Sequence, residues 1–403
     1  MHIVYLYFRV ILTGTLLLSM STSSHGQQIL PELLTPERQL PLLPKAISDD
    51  VISLPAIGVK VSGNYGPQKI NVKQFIINYD QSDVLTAEQL ARAQQLTVDF
   101  LKSHQNRLDL AQLDDLVFSL TQYLRDEGFM LAQAFLPAQE IEAGQVSLQV
   151  LIGILGDVIV KDNIIYRTDL LNQSFKRLLD EPVIGYDIES QILRLNGLPG
   201  LSTTAVFSAG DNLGETQMTL QVLEEDKFEY FIEADNFGSD ISGVARFSLG
   251  VTANNLTGNR DKLSVDALKT FDSGDMRNGR ISYELTEPSL FHTFGISFSK
   301  TLFSIKGPFS TSGAIEGETE IGQIYFRQQW LKTLDINIFT QANLFLKKSN
   351  INIVLFNYDQ GVDRLTVAEA GLVVEGVDNR FKGVYRSSFN ISQGLNNTLG
   401  SMT

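Results

Sequence analysis

Residues 244–254 read VARFSLGVTAN, and they alternate without a slip. Ala245, Phe247, Leu249, Val251 and Ala253 fall on one side, while Arg246, Ser248, Gly250, Thr252 and Asn254 fall on the other. A period of two is that of a β-strand with one face in an apolar medium and the other in water. Length chooses the medium. A strand that crosses a bilayer needs about 9–11 residues, whereas globular strands usually run about 5–6. The stretch predicts an antiparallel, membrane-spanning strand.

The same period extends on either side of it. Phe228, Tyr230, Ile232 and Ala234 alternate before it; Leu263, Val265 and Ala267, then Ile281, Tyr283 and Leu285, then Phe294, Ile296 and Phe298 follow. Less regular segments at 321–331, 336–346, 365–374 and 384–391 bring the expected number to about nine strands, most long enough to span when tilted. Their connections alternate as well. Those at 288–292, 332–335 and 376–382 are short, and those at 306–318 and 348–363 are long. Outer-membrane barrels have short periplasmic turns and longer outer loops, so a chain entering its first strand from the periplasm puts each connection on its expected side.

The amino-terminal part carries an address. A cationic start, a short apolar run at 10–20 and a small-residue tail with Ser24 and Gly26 spaced for cleavage predict a signal peptide over 1–26. A membrane anchor would need about 20 apolar residues, and this run is about half that. Residues 27–68 form a linker in which Pro31, Pro36, Pro41, Pro44 and Pro55 break any long helix. An extended tether is expected there.

An internal repeat follows. QVSLQVL at 145–151 recurs as QMTLQVL at 217–223, an offset of 217 − 145 = 72 residues. The same offset carries Leu116 onto Ile188, Leu120 onto Ile192, Gly128 onto Gly200 and Phe135 onto Phe207. Two copies of a small βααββ unit are therefore expected, over 69–152 and 153–224, ahead of a strand region over 225–403. In the first copy Thr86 and Gln89 form a capping-box pattern for a helix ending near Ser103, and Leu113, Leu116, Val117, Leu120 and Leu124 share a second helical face. In the second copy Leu171, Ser174, Phe175 and Leu178 predict a short helix, and Ile188, Ile192 and Leu195 another.

The chemistry-bearing residues are sparse. With 403 residues, a formal charge of −14 and no basic stripe, nucleic acid is excluded as a partner. There is no cysteine, hence no disulfide or thiolate chemistry. The histidines, His2, His25, His104 and His292, are scattered. No zinc-protease, nucleophile-elbow, dinucleotide or P-loop motif occurs, so neither an enzyme site nor a cofactor or metal is expected.

The fragments DNFGS at 235–239, GVARF at 243–247, NNLTGNRD at 254–261 and SYELTEP at 282–288 resemble the first barrel hairpins of the two-partner secretion outer-membrane transporters, the haemolysin secretion/activation protein family. The paired repeats resemble that family's two polypeptide-transport-associated (POTRA) domains, including the Leu198-Pro199-Gly200 turn of the second. The resemblance implies α+β periplasmic POTRA domains followed by an antiparallel transmembrane β-barrel. It also implies export of a large secreted partner polypeptide bearing an amino-terminal secretion domain, contact with outer-membrane lipid, and a monomer. An outer-membrane protein assembly factor of the same superfamily is the alternative. The chain departs from the family in stopping at Thr403 without the Arg-Gly pore-loop motif or a final aromatic strand, so only about the first half of the barrel is expected. The linker prolines argue against the family's pore-plugging helix. POTRA-type domains hold unfolded clients by adding a strand to a sheet edge beside a helix. The candidate client-binding residues are accordingly Ile192, Leu195, Thr204, Val206 and Phe207, in the second helix and second strand of the second copy.

Overall fold

The structure, a computed structural model, describes residues 52–53, 69–141, 143–224, 227–240, 242–272, 274–287, 291–305, 315–353, 358–378, 380 and 382–395. All of these fall in one unit, Pro44–Thr403. The expected signal peptide, and the linker apart from Ile52 and Ser53, lie outside the described residues.

The first α/β unit follows its sequence closely. It runs from β2 (Ile70–Asn71) and β3 (Gln74–Tyr79) through α1 (Ala87–Ser103), β4 (Arg107–Leu108) and α2 (Leu110–Asp126) to β5 (Gln133–Phe135) and β6 (Gln145–Leu151), with β1 (Ile52–Ser53) upstream in the chain. Thr86 accepts from the Gln89 N–H and Gln89 reaches back to the Thr86 N–H, which satisfies orphan donors at the start of α1. Asp109 and Gln112 do the same for α2. Leu113, Leu116, Leu120 and Leu124 are buried on one face of α2, against Phe75, Val146, Leu148 and Val150 of the sheet. Gly128 then takes a φ of +104°, a left-handed turn that ends the helix where a side chain would be strained.

The second unit has β7 (Ile154–Lys161), α3 (Thr168–Asn172), α4 (Gly185–Leu195), β8 (Leu201–Ala209) and β9 (Glu215–Glu224). The helix expected through Leu178 stops at Asn172. Beyond it the amides of Ser174 and Leu178 bond to carbonyls three residues back, at Leu171 and Phe175, so tight turns replace the helix while Leu171 and Phe175 still reach the core. Both units pair their strands alike. β3 runs parallel to β6 and β6 antiparallel to β5; β7 runs parallel to β9 and β9 antiparallel to β8. The second sheet gains a fourth member, because β1 lies parallel to β8 with Ile52 opposite Ala205 and Ser53 opposite Val206. An extended tether was expected at that point, with no strand partner assigned to it.

The remaining strands are β10 (Phe228–Asp235), β11 (Ala245–Asn254), β12 (Asp261–Phe271), β13 (Asp275–Glu287), β14 (His292–Ile305), β15 (Ile315–Lys332), β16 (Ile336–Ile353), β17 (Tyr358–Asp378) and β18 (Gly383–Gly394). They form one nine-stranded antiparallel sheet in sequence order, with β10 and β18 at its two ends, so the described strands do not close on themselves. The long connection expected at 348–363 is largely strand, because β16 extends to Ile353 and β17 starts at Tyr358. Their pairing carries this hairpin past the length that a bilayer requires.

Register explains the alternation. Tyr230, Val251, Val265, Ile281, Phe298, Gly322 and Leu346 form a continuous row across seven strands. Its large members are exposed, as a lipid-facing band requires. On β15 the band is bounded by Glu320 and Gln328, eight residues apart, which at roughly 3.4 Å per residue is about 27 Å along the strand. Glu320 is braced by Lys300 at 2.9 Å and Lys348 at 3.4 Å on the neighbouring strands. The opposite face is polar and cross-linked: Thr252 meets Ser264 at 3.0 Å, Gln323 donates to Asn343 at 3.1 Å, and Asn343 donates to Glu369 at 3.0 Å.

Candidate functional site

The five candidate residues fall into two sets. Ile192 and Leu195 of α4 are fully buried, Phe207 of β8 is 4% exposed, and all three belong to the core of the second unit. They support the sheet edge and offer no side chain to a client. Thr204 and Val206 stand on the other face of β8, where Val206 is exposed.

Backbone alternation decides which groups that edge presents. The Leu201 N–H donates to the Leu198 carbonyl at 3.3 Å, and the Thr203 N–H donates to Asn196 Oδ1 at 2.6 Å, so odd-numbered residues of β8 turn their amides away from β9. Asn196 Nδ2 also donates to the Thr203 carbonyl at 3.0 Å, which seals that position in both directions. Ala205 and Phe207 follow as the next outward groups. Thr204 and Val206 turn theirs toward β9, so their amides are unsuited to strand addition.

Register also corrects the repeat. Phe135 pairs with Gln149, and Thr204 pairs with Gln221. Since 149 + 72 = 221, Phe135 corresponds in space to Thr204 and not to Phe207. The offset fails there because the paired positions are 221 − 204 = 17 residues apart in the second unit and 149 − 135 = 14 in the first.

The second unit also contacts the end of the large sheet where the short turns lie. Arg194 of α4 places its guanidinium 3.5 Å from the ring centroid of Phe291, between β13 and β14. Burial lowers the Arg194 pKa from its ordinary value. Glu189 accepts from the Leu334 N–H, between β15 and β16, at 3.2 Å. Asn255, between β11 and β12, donates to the Ile165 carbonyl at 3.1 Å. Gly200, at φ +61°, brings its backbone so close to Asn254 that an added Cβ would stand 3.0 Å from the asparagine Cβ. Neither Arg194 nor Phe291 stands out in the sequence, because their pairing joins positions 291 − 194 = 97 residues apart. Asn196, directly after a helix and ahead of Leu198-Pro199-Gly200, was more legible.

In the first unit, Ile70, Leu110, Leu113, Leu136, Ile141 and Val146 line an apolar groove beside β5. The outward Ala134 N–H of β5 is taken by Thr121 Oγ1 at 3.0 Å. Among the described residues no group of three or more histidine, cysteine, aspartate or glutamate side chains is placed to hold a metal. His104 stacks on Phe100 and His292 lies against Phe326, in different parts of the chain.

Comparison with known proteins assigns both parts. The POTRA domain, ShlB-type, matches residues 77–153, and the haemolysin secretion/activation protein ShlB/FhaC/HecB matches residues 214–401. The heme/hemopexin transporter protein HuxB of Haemophilus influenzae is 27% identical over 242 residues, covering 59% of this chain and 42% of that protein. The outer membrane transporter CdiB of Dickeya dadantii is 20% identical over 256 residues, covering 61% and 44%. The chain thus spans under half the length of these relatives. In fold it is similar to CdiB from Escherichia coli, with a TM-score of 0.59 at 18% identity over 86% of this chain and 62% of that one. The chain thus carries a ShlB-type POTRA domain at residues 77–153, ahead of a region at residues 214–401 that matches the haemolysin secretion/activation protein ShlB/FhaC/HecB and forms a sheet with an apolar outer row and a polar inner face.

Proposed function

We propose that the chain exports a secreted partner polypeptide across the outer membrane. One observation carries this reading: the second α/β unit is docked on the short turns of a sheet whose outer row is apolar and whose inner face is polar. Such a wall offers lipid one side and an unfolded, hydrated chain the other. A client held by main-chain pairing at a sheet edge of that unit would sit beside the inner mouth of the wall. Folding of the client outside would give the transfer its direction.

Within this reading residues 69–152 and 153–224 are two POTRA domains in the periplasm and 225–403 is the first part of the barrel. The shared strand pairing of the two units supports that division. The chain acts as a monomer in contact with outer-membrane lipid, and it moves its client without catalysing a covalent step. Thr204 and Val206 face the client, while Ile192, Leu195 and Phe207 hold the edge in shape.

Inactivating the gene in its own bacterium, followed by mass spectrometry of the culture medium, tests the proposal. One large protein should vanish from the medium and return when the gene is restored. An unchanged medium would rule the reading out.

A further inference from the structure

We propose that the outward edge of β8 is an exchangeable strand-acceptor site, filled from within the chain by Ile52–Ser53, which an extended segment of the client must take over. The client step rests on the export reading; the acceptor itself does not.

Along β8 the unit seals its own edge only part of the way. Leu201 is closed by Leu198 and Thr203 by Asn196. The next outward residue is Ala205, and there the chain lays Ile52 alongside. β8 has nine residues, of which β1 covers two, so Phe207 to Ala209 have no strand alongside on that edge among the described residues. The first unit solves the same problem differently. Its outward amide at Ala134 is satisfied by Thr121 of α2, and no further strand is paired to β5 among the described residues.

The occupant is fitted to the edge. Ile52 packs against the buried cluster that contains Ala205 and Phe207, and Ala205 is small enough to leave the edge of that cluster open to it. Parallel pairing is slightly less stable per residue than antiparallel, so the hold is weaker than that of an antiparallel strand of equal length. A client strand that also reached Phe207 and Ala209 would pair with more of the edge than the described β1 does, and one running antiparallel would pair more stably per residue. It would present a β-branched apolar residue beside Ala205, where Ile52 now lies.

The test uses the full chain in detergent and a fluorescein-labelled peptide of its own residues 48–57, SDDVISLPAI. Ile52→Lys removes the internal anchor, so this variant should bind the peptide at least tenfold more tightly than the unaltered chain does. In a parallel ladder the residue after the partner donates to it, so N-methylation of the peptide at the position of Ser53 should abolish binding. Placement follows from cross-linking, because the chain has no cysteine of its own. A peptide with cysteine at the position of Ser53 should form a disulfide with Val206→Cys when Ile52→Lys is also present, and fail to do so with Thr168→Cys in its place. Circular dichroism confirms that each variant is folded. Equal peptide binding with and without Ile52→Lys, or cross-linking indifferent to the N-methyl group, would overturn the acceptor site while leaving the export reading intact. Peptide exchange combined with an unchanged culture medium on gene inactivation would keep the acceptor and discard the client.

Discussion

Arg194 stacks on Phe291 with its guanidinium carbon 3.5 Å from the ring centroid, joining the last turn of α4 to the turn between β13 and β14. The contact is partly desolvated, and a cation over an aromatic face contributes roughly 0.5–2 kcal/mol. Arg194→Ala, Phe291→Ala and the double variant should therefore show a coupling of about 1 kcal/mol in a double-mutant cycle on denaturant stability. Additive losses would mean that the stacking carries no energy of its own.

The outward row predicts a sided response to charge. Leu249 lies in register with Ile232, next to Tyr230 and Val251 along the apolar face, and it is exposed. Leu249→Arg should destabilise insertion by about 2–4 kcal/mol. Ser248→Arg, one residue away on the polar face, should be accommodated. Folding yields into lipid vesicles, read by protease protection, measure both.

In the first unit, Leu120 is fully buried between α2 and the sheet. Leu120→Ala should cost about 2–5 kcal/mol through the lost burial and the cavity it leaves. Asp109→Ala, which removes the side-chain acceptor for the Gln112 N–H at the start of the same helix, should cost about 1 kcal/mol. Urea melts of both variants should rank in that order.

Tyr79 of β3 has a buried hydroxyl without a hydrogen-bond partner among the described residues. Burial, with Tyr123 nearby, pushes its pKa from 10.0 up to about 12. Its folded pKa lies above the unfolded one, so the associated stability is fully present below pH 10.0 and is lost as pH rises toward about 12. Tyr79→Phe should flatten that part of the stability profile. An unaltered profile in the variant would assign the alkaline loss to other groups.

Sequence alone determined what is written in local period and local caps. The alternation that runs from Phe228 to Phe298 follows from the strand geometry that places successive side chains on opposite faces, and it identified the sheet and its lipid face. Thr86 with Gln89, and Leu113 with Leu116, Leu120 and Leu124, identified two helices because capping and burial act over three or four residues. The tertiary structure decided everything that depends on register and on distant pairs. It buried Ile192, Leu195 and Phe207, turned the amides of Thr204 and Val206 inward, and gave the open edge to Ile52–Ser53. No periodicity in the linker could show this, because two residues are too few to carry a period. Their place is set by an edge more than 140 residues further along the chain, which exists only once β8 has paired with β9.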